Sequence, residues 1–395
     1  MNKYRCFVLL IILLYSVNAA YSRYPGQDAP KDLSFYTPPE DTSHLPLIKK
    51  SKAKNIILLI GDGMGLGIVN TTKMRIAGAD GCLYLEKMPI TGLCNTHSVN
   101  RLTTDSAAAG TALATGKKTN NTHVSVDQDG NTLQTILEAA ASKKGKFTGL
   151  VVTTLMTRAT PAVFGAHVKK RVDQATIAEH YIENRINVLF GGGKQYFIPR
   201  TSPGSLRTDD KDLIAEAIAS GYKFIETEDE LQWIDNEDHV LGLFQMGTPT
   251  TISPEPSLAE MTSKAIKLLN RNKNGFFMMV EGSQIDWAAH ANDADYVVRQ
   301  TLLFDLAVKV ALDFAMKDKN TLVVVTADHE CGGVILIDGK KDGSELEINF
   351  STNHHTPMQV PVYAFGPGAE NFTGVHDNTD IAKIFAMMFR IKKLN

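Results

Sequence analysis

Six apolar runs, each about the length of one strand, limit most strongly what this chain can fold into. They read NIILLI (55–60), TGLVVT (148–153), INVLF (186–190), GFFMMV (275–280), TLVVVT (321–326) and VPVYAF (360–365). A strand that is apolar at nearly every position has both faces covered, as in a parallel sheet flanked by helices. Between these runs, residues 133–144, 209–219, 257–271 and 293–316 are helical candidates, and the last carries apolar side chains at three- and four-residue spacings. The alternation predicts an α/β fold: a mostly parallel central sheet with helices on both faces. Residues 191–247 are richer in charge and turn residues and are expected to decorate the sheet.

The chain of 395 residues is long enough for one large α/β domain, and its 43% apolar content supports a sizeable core. No internal repeat breaks it, so residues 55–395 are expected to form a single domain. A formal charge of −2 gives no sign of a nucleic-acid-binding surface. Lys3 and Arg5 precede a short apolar run and the small-residue stretch SVNAA, the pattern of a signal peptide over residues 1–20. Residues 21–54 read as an extended, proline-bearing lead-in. The expectation is an exported protein, periplasmic or secreted, with no transmembrane anchor after cleavage. Of the three cysteines past that point, Cys82 and Cys94 are close enough in sequence to pair, a point left open.

Chemistry in such sheets gathers beyond the carboxyl ends of the strands. The first run ends in Asp62. The run from 275 leads into Glu281, Asp286 and His290, and the run from 321 into Asp328, His329 and Glu330. Each residue alone is weak evidence, because a single aspartate after a strand is often a turn or cap residue. Together they crowd acids whose mutual repulsion calls for cations. Oxygen and nitrogen donors without cysteine suit Zn²⁺ or Mg²⁺. Asp286 and His290, four residues apart, would share one helical face.

A second stretch, RLTTDSAAAGTALATG, sets Ser106 before a run of small residues, with no histidine base nearby and no G-x-S-x-G elbow. Bound metal would lower the pKa of its hydroxyl without such a base. Asp105 is then read as a residue that caps or positions the helix start.

Six segments, LLIGDGMG, TTDSAAAGTALATG, RATPAVFGAHVKKR, VEGSQIDWAAHANDAD, VTADHE and HTPMQVPVYAFGPGA, resemble the alkaline phosphatase family in order along nearly the whole chain. The resemblance implies hydrolysis of phosphate monoesters through a phosphoserine on Ser106, with a broad substrate range. It implies a first zinc on Asp286, His290 and His355, and a second on Asp62, Asp328 and His329. A magnesium would take Asp62, Thr160 and Glu281, and Arg171 would grip the phosphate. His355 is chosen over its neighbour His354 because the family pattern sets the histidine directly before Thr-x. The two zinc ions would clamp the attacking and leaving oxygens of an in-line displacement. A homodimer is the family expectation, although the insertion between CGGV and NHHTP is short here.

Two positions depart from that pattern. Arg158 stands where the family often has aspartate or histidine near magnesium; it either repels that ion or faces outward. Trp287 stands where some members have a lysine that reaches phosphate, so weaker magnesium dependence and weaker phosphate retention are expected. Cys331 follows VTADHE directly and is read as a buried free thiol rather than an extra ligand. Among rivals, a diesterase would commonly use threonine and lack Arg171, and a non-catalytic binder would not need a complete nucleophile and clamp.

Overall fold

The computed structural model describes residue 30, residues 32–50 and residues 52–395. The expected signal peptide and the first part of the lead-in lie outside the described residues. Ten strands form one sheet: β1 (Asn55–Gly61), β2 (Ile90–Asn95), β3 (Phe147–Leu155), β4 (Val188–Gly192), β5 (Lys223–Ile225), β6 (Val240–Leu243), β7 (Phe276–Gly282), β8 (Thr321–Thr326), β13 (Val360–Phe365) and β14 (Gly374–Asp377). Short pairs β9 (Glu330–Cys331) with β12 (His355–Thr356), and β10 (Val334–Asp338) with β11 (Glu347–Phe350), stand apart from it.

The strand order is β14-β2-β13-β8-β1-β7-β3-β4-β6-β5. Every pairing in it is parallel except those of β13 with β8 and β2. The central strands β1, β7 and β8 are buried along their whole length, as their unbroken apolar sequence requires.

The helices are α1 (Leu66–Ala77), α2 (Ser106–Thr115), α3 (Ile136–Lys144), α4 (Ala159–Gly165), α5 (Gln174–Glu183), α6 (Leu213–Ala219), α7 (Glu228–Trp233), α8 (Leu258–Leu269), α9 (Gln284–His290), α10 (Ala294–Asp318) and α11 (Asn378–Met388). One layer joins α1, α8, α9 and α10, and the other joins α2, α3, α4 and α11. The long amphipathic stretch forms α10, opened by Asp293, whose side chain accepts from the Tyr296 amide.

The small residues of α2 have a packing reason. The helix is buried on every side, and a Cβ on Gly110 would lie 2.8 Å from Val163 of α4. Alanine and glycine let the two helices approach closely, which larger side chains would prevent.

Three expectations need correction or closure. Residues 191–247 do not merely decorate the sheet, because they supply β5 and β6, which extend it beyond β4. These strands have three and four residues and sit in charged sequence, so no long apolar run announces them. Cys82 and Cys94 are both free and buried. The Cys94 thiol is pushed up to about 12, first by burial and then by the Asp377 carboxylate. Where described, the lead-in is tied down: Tyr36 Oη donates to Asp305 Oδ2 at 2.5 Å, and Asp305 also accepts from the amides of Tyr84 and Leu85. Among the described residues, no helix is long and apolar enough to cross a membrane.

Candidate active site

The sheet order gathers the acids. β1 lies between β7 and β8, with Ile60 level with Glu281 on one side and Thr326 on the other. The chain leaves β1 at Asp62 and β8 at Asp328, so Asp62, Glu281 and Asp328 share one edge of the sheet. The turn after β1 is tight. Gly63 has φ +72, and a Cβ there would meet the Cys331 Cβ at 2.9 Å and Asp286 Oδ1 at 3.0 Å. A side chain would therefore be both strained and crowded at this position.

Two groups of donors face each other across this edge. Asp62, Asp328 and His329 offer ligand atoms that all lie within 4.8 Å of one another, and Asp286, His290, Cys331 and His355 do the same. In the first, His329 Nε2 stands 3.4 Å from Asp62 Oδ1 and 3.2 Å from Asp328 Oδ2. In the second, Asp286 meets His290 Nε2 at 3.3 Å and His355 Nε2 at 3.4 Å. The groups adjoin, since the rings of His329 and His355 stack at 3.6 Å. Backbone carbonyls turn two of the histidines inward. His290 Nδ1 lies 2.8 Å from the Asn353 carbonyl and His355 Nδ1 2.9 Å from that of Thr104. Each Nδ1 then carries the proton, leaving Nε2 as the free donor atom.

The electrostatics of so many buried acids differ by position. Burial raises Asp62 well above the carboxylate range, helped by the Asp328 and Asp286 charges. Burial likewise pushes Asp328 up to about 6 and Glu281 to about 7, although the Ser283 and Thr160 hydroxyls pull Glu281 back. Burial also acts on Asp286, but the adjoining His290 and His355 rings overcome it and hold that carboxyl well below its usual range. Asp62 Oδ1, Glu281 Oε2, Asp286 Oδ1 and Asp328 Oδ2 are buried and accept no hydrogen bond. Acceptors left unpaired in a buried acidic pocket are the pattern expected of cation ligands. The residues present fit divalent metal ions.

Ser106 begins α2 on this edge, and its Oγ lies 3.3 Å from His329 Nε2. Asp105 does two things. Its Oδ1 accepts from the Ala108 amide and caps the helix, while its Oδ2 accepts from Arg171 Nη1 at 3.1 Å and from the Thr122 amide. Sequence reasoning found the cap but missed the hold on Arg171, because the partners stand 66 residues apart. The carbonyls of Thr104 and Asn353 were also missed, as main-chain acceptors leave no mark in a sequence. Thr160 lies in the first turn of α4 and is buried beside Glu281.

The neighbouring positions are equally specific. His355 turns inward while His354 is exposed. Glu330, which also follows β8, points away from the donors and accepts from the Thr356 hydroxyl and the Val334 amide. The Cys331 thiol is fully buried and donates to the Asp286 carbonyl at 3.7 Å. Arg158 is not an outward-facing arginine. Its guanidinium lies over the Trp287 ring, 5.7 Å from the centroid.

Known proteins match this arrangement along most of their length. A family model for alkaline phosphatase matches residues 53–343 and 338–391. Alkaline phosphatase 4 of Bacillus subtilis is 35% identical, over 87% of this chain and 90% of that protein. Alkaline phosphatase of Escherichia coli is 33% identical, over 83% of this chain and 84% of its own length. The solved alkaline phosphatase of the Antarctic bacterium TAB5 superposes with a TM-score of 0.79 at 34% identity, over 87% of this chain and 99% of that one. A variant of the TAB5 enzyme has also been solved with Mg bound. With a family model spanning most of the chain and relatives above 30% identity, this chain belongs to the alkaline phosphatase family.

Proposed function

We propose that this enzyme hydrolyses phosphate monoesters by way of a phosphoserine on Ser106, with two zinc ions and one magnesium as cofactors. The carrying observation is the placement of Ser106 Oγ, 3.3 Å from His329 Nε2 and one residue from the Asp105–Arg171 pair. Asp286, His290 and His355 would hold one zinc, Asp62, Asp328 and His329 the other, and Asp62, Thr160 and Glu281 the magnesium. When bound, these ions supply Lewis-acid charge to the attacking and leaving oxygens.

The chain's own residues do the rest. The guanidinium of Arg171 presents parallel N–H donors matched to two phosphate oxygens. Asp105 keeps that fork in place at the start of α2, where the helix terminus also favours negative charge. Ser106 Oγ forms the bond to phosphorus as the alcohol oxygen leaves. Water then displaces Ser106 and frees inorganic phosphate, so two inversions give net retention at phosphorus. The basic, short apolar and small-residue pattern over residues 1–20 supports export as the setting of this activity.

The test is the ratio of kcat/KM for an aryl phosphate monoester to that for the matching diester, on protein loaded with zinc and magnesium. A ratio far above one is expected. A ratio near or below one would make the diesterase reading the better one and remove Arg171 as the phosphate clamp.

Asp105 gives a separate prediction. Asp105→Ala should lower stability by about 1 kcal/mol through the lost cap. It should also weaken inhibition by inorganic phosphate several-fold, roughly the loss of one charge-assisted contact. Asp105→Asn keeps a cap acceptor and should retain most of the stability while still weakening phosphate inhibition. Unchanged phosphate inhibition in both variants would mean that Arg171 is held without Asp105.

A further inference from the structure

We propose that Arg158 is a second phosphate-gripping residue, seated on Trp287 and facing the same anion as Arg171. This rests on the reading that the phosphate sits between Ser106 and Arg171. Arg158 is the residue before α4, two positions from Thr160, and its side chain makes no cap to that helix. Trp287 follows Asp286 on α9 and is only 7% exposed, so the ring is a fixed platform at the edge of the donor groups.

The arginine is poorly compensated as it stands. Its Nε is buried and has no hydrogen-bond partner. Among the described residues no carboxylate lies within ion-pair distance of it, whereas Arg171 has Asp105 at 3.1 Å. Stacking on an aromatic ring stabilises the face of a guanidinium but leaves the N–H donors along its edge unused. A partly buried cation with unused donors is unfavourable unless an anion completes it. Arg158, on Trp287 beside Asp286, and Arg171, on Asp105 beside Ser106, thus bring two positive charges to the border of the donor groups. A phosphate with several acceptor oxygens bound between them would satisfy both sets of donors and offset both charges.

Trp287 brings no charge, and from sequence it suggests weak phosphate retention. The structure points the other way: the ring holds an arginine that brings the charge from α4. The pair divides between two side chains what a single long cation would do alone.

The experiment is calorimetric titration of inorganic phosphate into protein loaded with zinc and magnesium, with metal content measured on the same samples. The variants are Arg158→Ala, Arg158→Lys and Arg171→Ala. Arg158→Ala is expected to weaken phosphate binding about ten- to a hundredfold, the range for losing hydrogen bonds to a charged group. Its metal content should not change. KM for an aryl monoester should rise by a larger factor than kcat falls. Arg158→Lys should recover only part of the affinity, because an ammonium has neither the fork nor the flat stacking face.

Unchanged phosphate affinity in Arg158→Ala, with affinity lost in Arg171→Ala, would overturn this inference and leave the proposed function standing. An extra equivalent of bound metal in Arg158→Ala, with phosphate affinity unchanged, would also overturn it, showing the guanidinium to be a stand-in for a cation. If neither variant altered the affinity, the phosphate site itself would be misplaced and both readings would fall.

Discussion

Ser106→Ala is expected to lower kcat by about 10⁴-fold or more, the scale seen when an enzyme loses its nucleophile. The substitution removes one hydroxyl from a side chain that is 3% exposed at the first turn of α2. Alanine is a good residue there, and the Asp105 cap and its bond to Arg171 do not involve the Ser106 side chain. Stability should therefore stay within about 0.5 kcal/mol, and phosphate should still bind. The second readout is acid quenching during turnover of a radiolabelled monoester. Labelled phosphoserine is expected in the unaltered protein and none in the variant. Retention of a tenth of the activity would mean that water attacks the ester directly, and the covalent reading would be abandoned.

Metal removal is the other large effect. Exhaustive chelation is expected to cut activity by more than about 10³-fold, because Lewis-acid stabilisation of the reacting oxygens is worth several kcal/mol. Zinc, followed by magnesium, should restore it. Stability should respond with a definite sign in pH. In the metal-free protein Asp328 is raised to about 6, Glu281 to about 7 and His355 to about 9, and His290 is raised as well. The carboxyls are raised by burial; for the histidines burial works against the shift, and pairing with Asp286 overcomes it.

A group raised in the folded state adds stability below its unfolded pKa, and that stability is lost as pH rises through the folded value. The carboxyl contributions are full only below about pH 4 and are lost as pH rises to about 6 for Asp328 and about 7 for Glu281. That of His355 is lost between about pH 6.5 and about pH 9, and that of His290 follows the same sign. His329 and Asp286 are lowered and oppose the trend. Metal binding must displace the protons these ligands hold, so the metal-loaded protein gains most at high pH. The difference in Tm between loaded and chelated protein should widen from about pH 6 to about pH 9. A constant or narrowing difference would show that these side chains are not the metal ligands.

Much of this was legible in the chain because the signal was local. A parallel strand covered on both faces must be apolar throughout, so β8 and β13 match the sequence expectation residue for residue and β1 and β7 nearly so. The acids and histidines stand at strand ends because that edge is where the sheet leaves room for chemistry. What escaped was short or non-local. β6 is a strand only because β4 gives it an edge to pair with, and β5 only because β6 does the same.

The sequence by itself determined the α/β class, the family and the residue types available for chemistry, since each depends on runs and motifs a few residues long. The tertiary structure decided how those residues are used. Only the order β8-β1-β7 sets Asp62, Glu281 and Asp328 on one edge, and only the approach of α2 to Arg171 shows Asp105 holding a guanidinium as well as a helix end. Only the tertiary fold, which brings the residue before α4 to the Trp287 ring of α9, turns Arg158 from a charge that ought to face water into one stacked on an aromatic face. Contacts between residues dozens to hundreds of positions apart are set by strand order and helix approach. No local pattern of side chains encodes them.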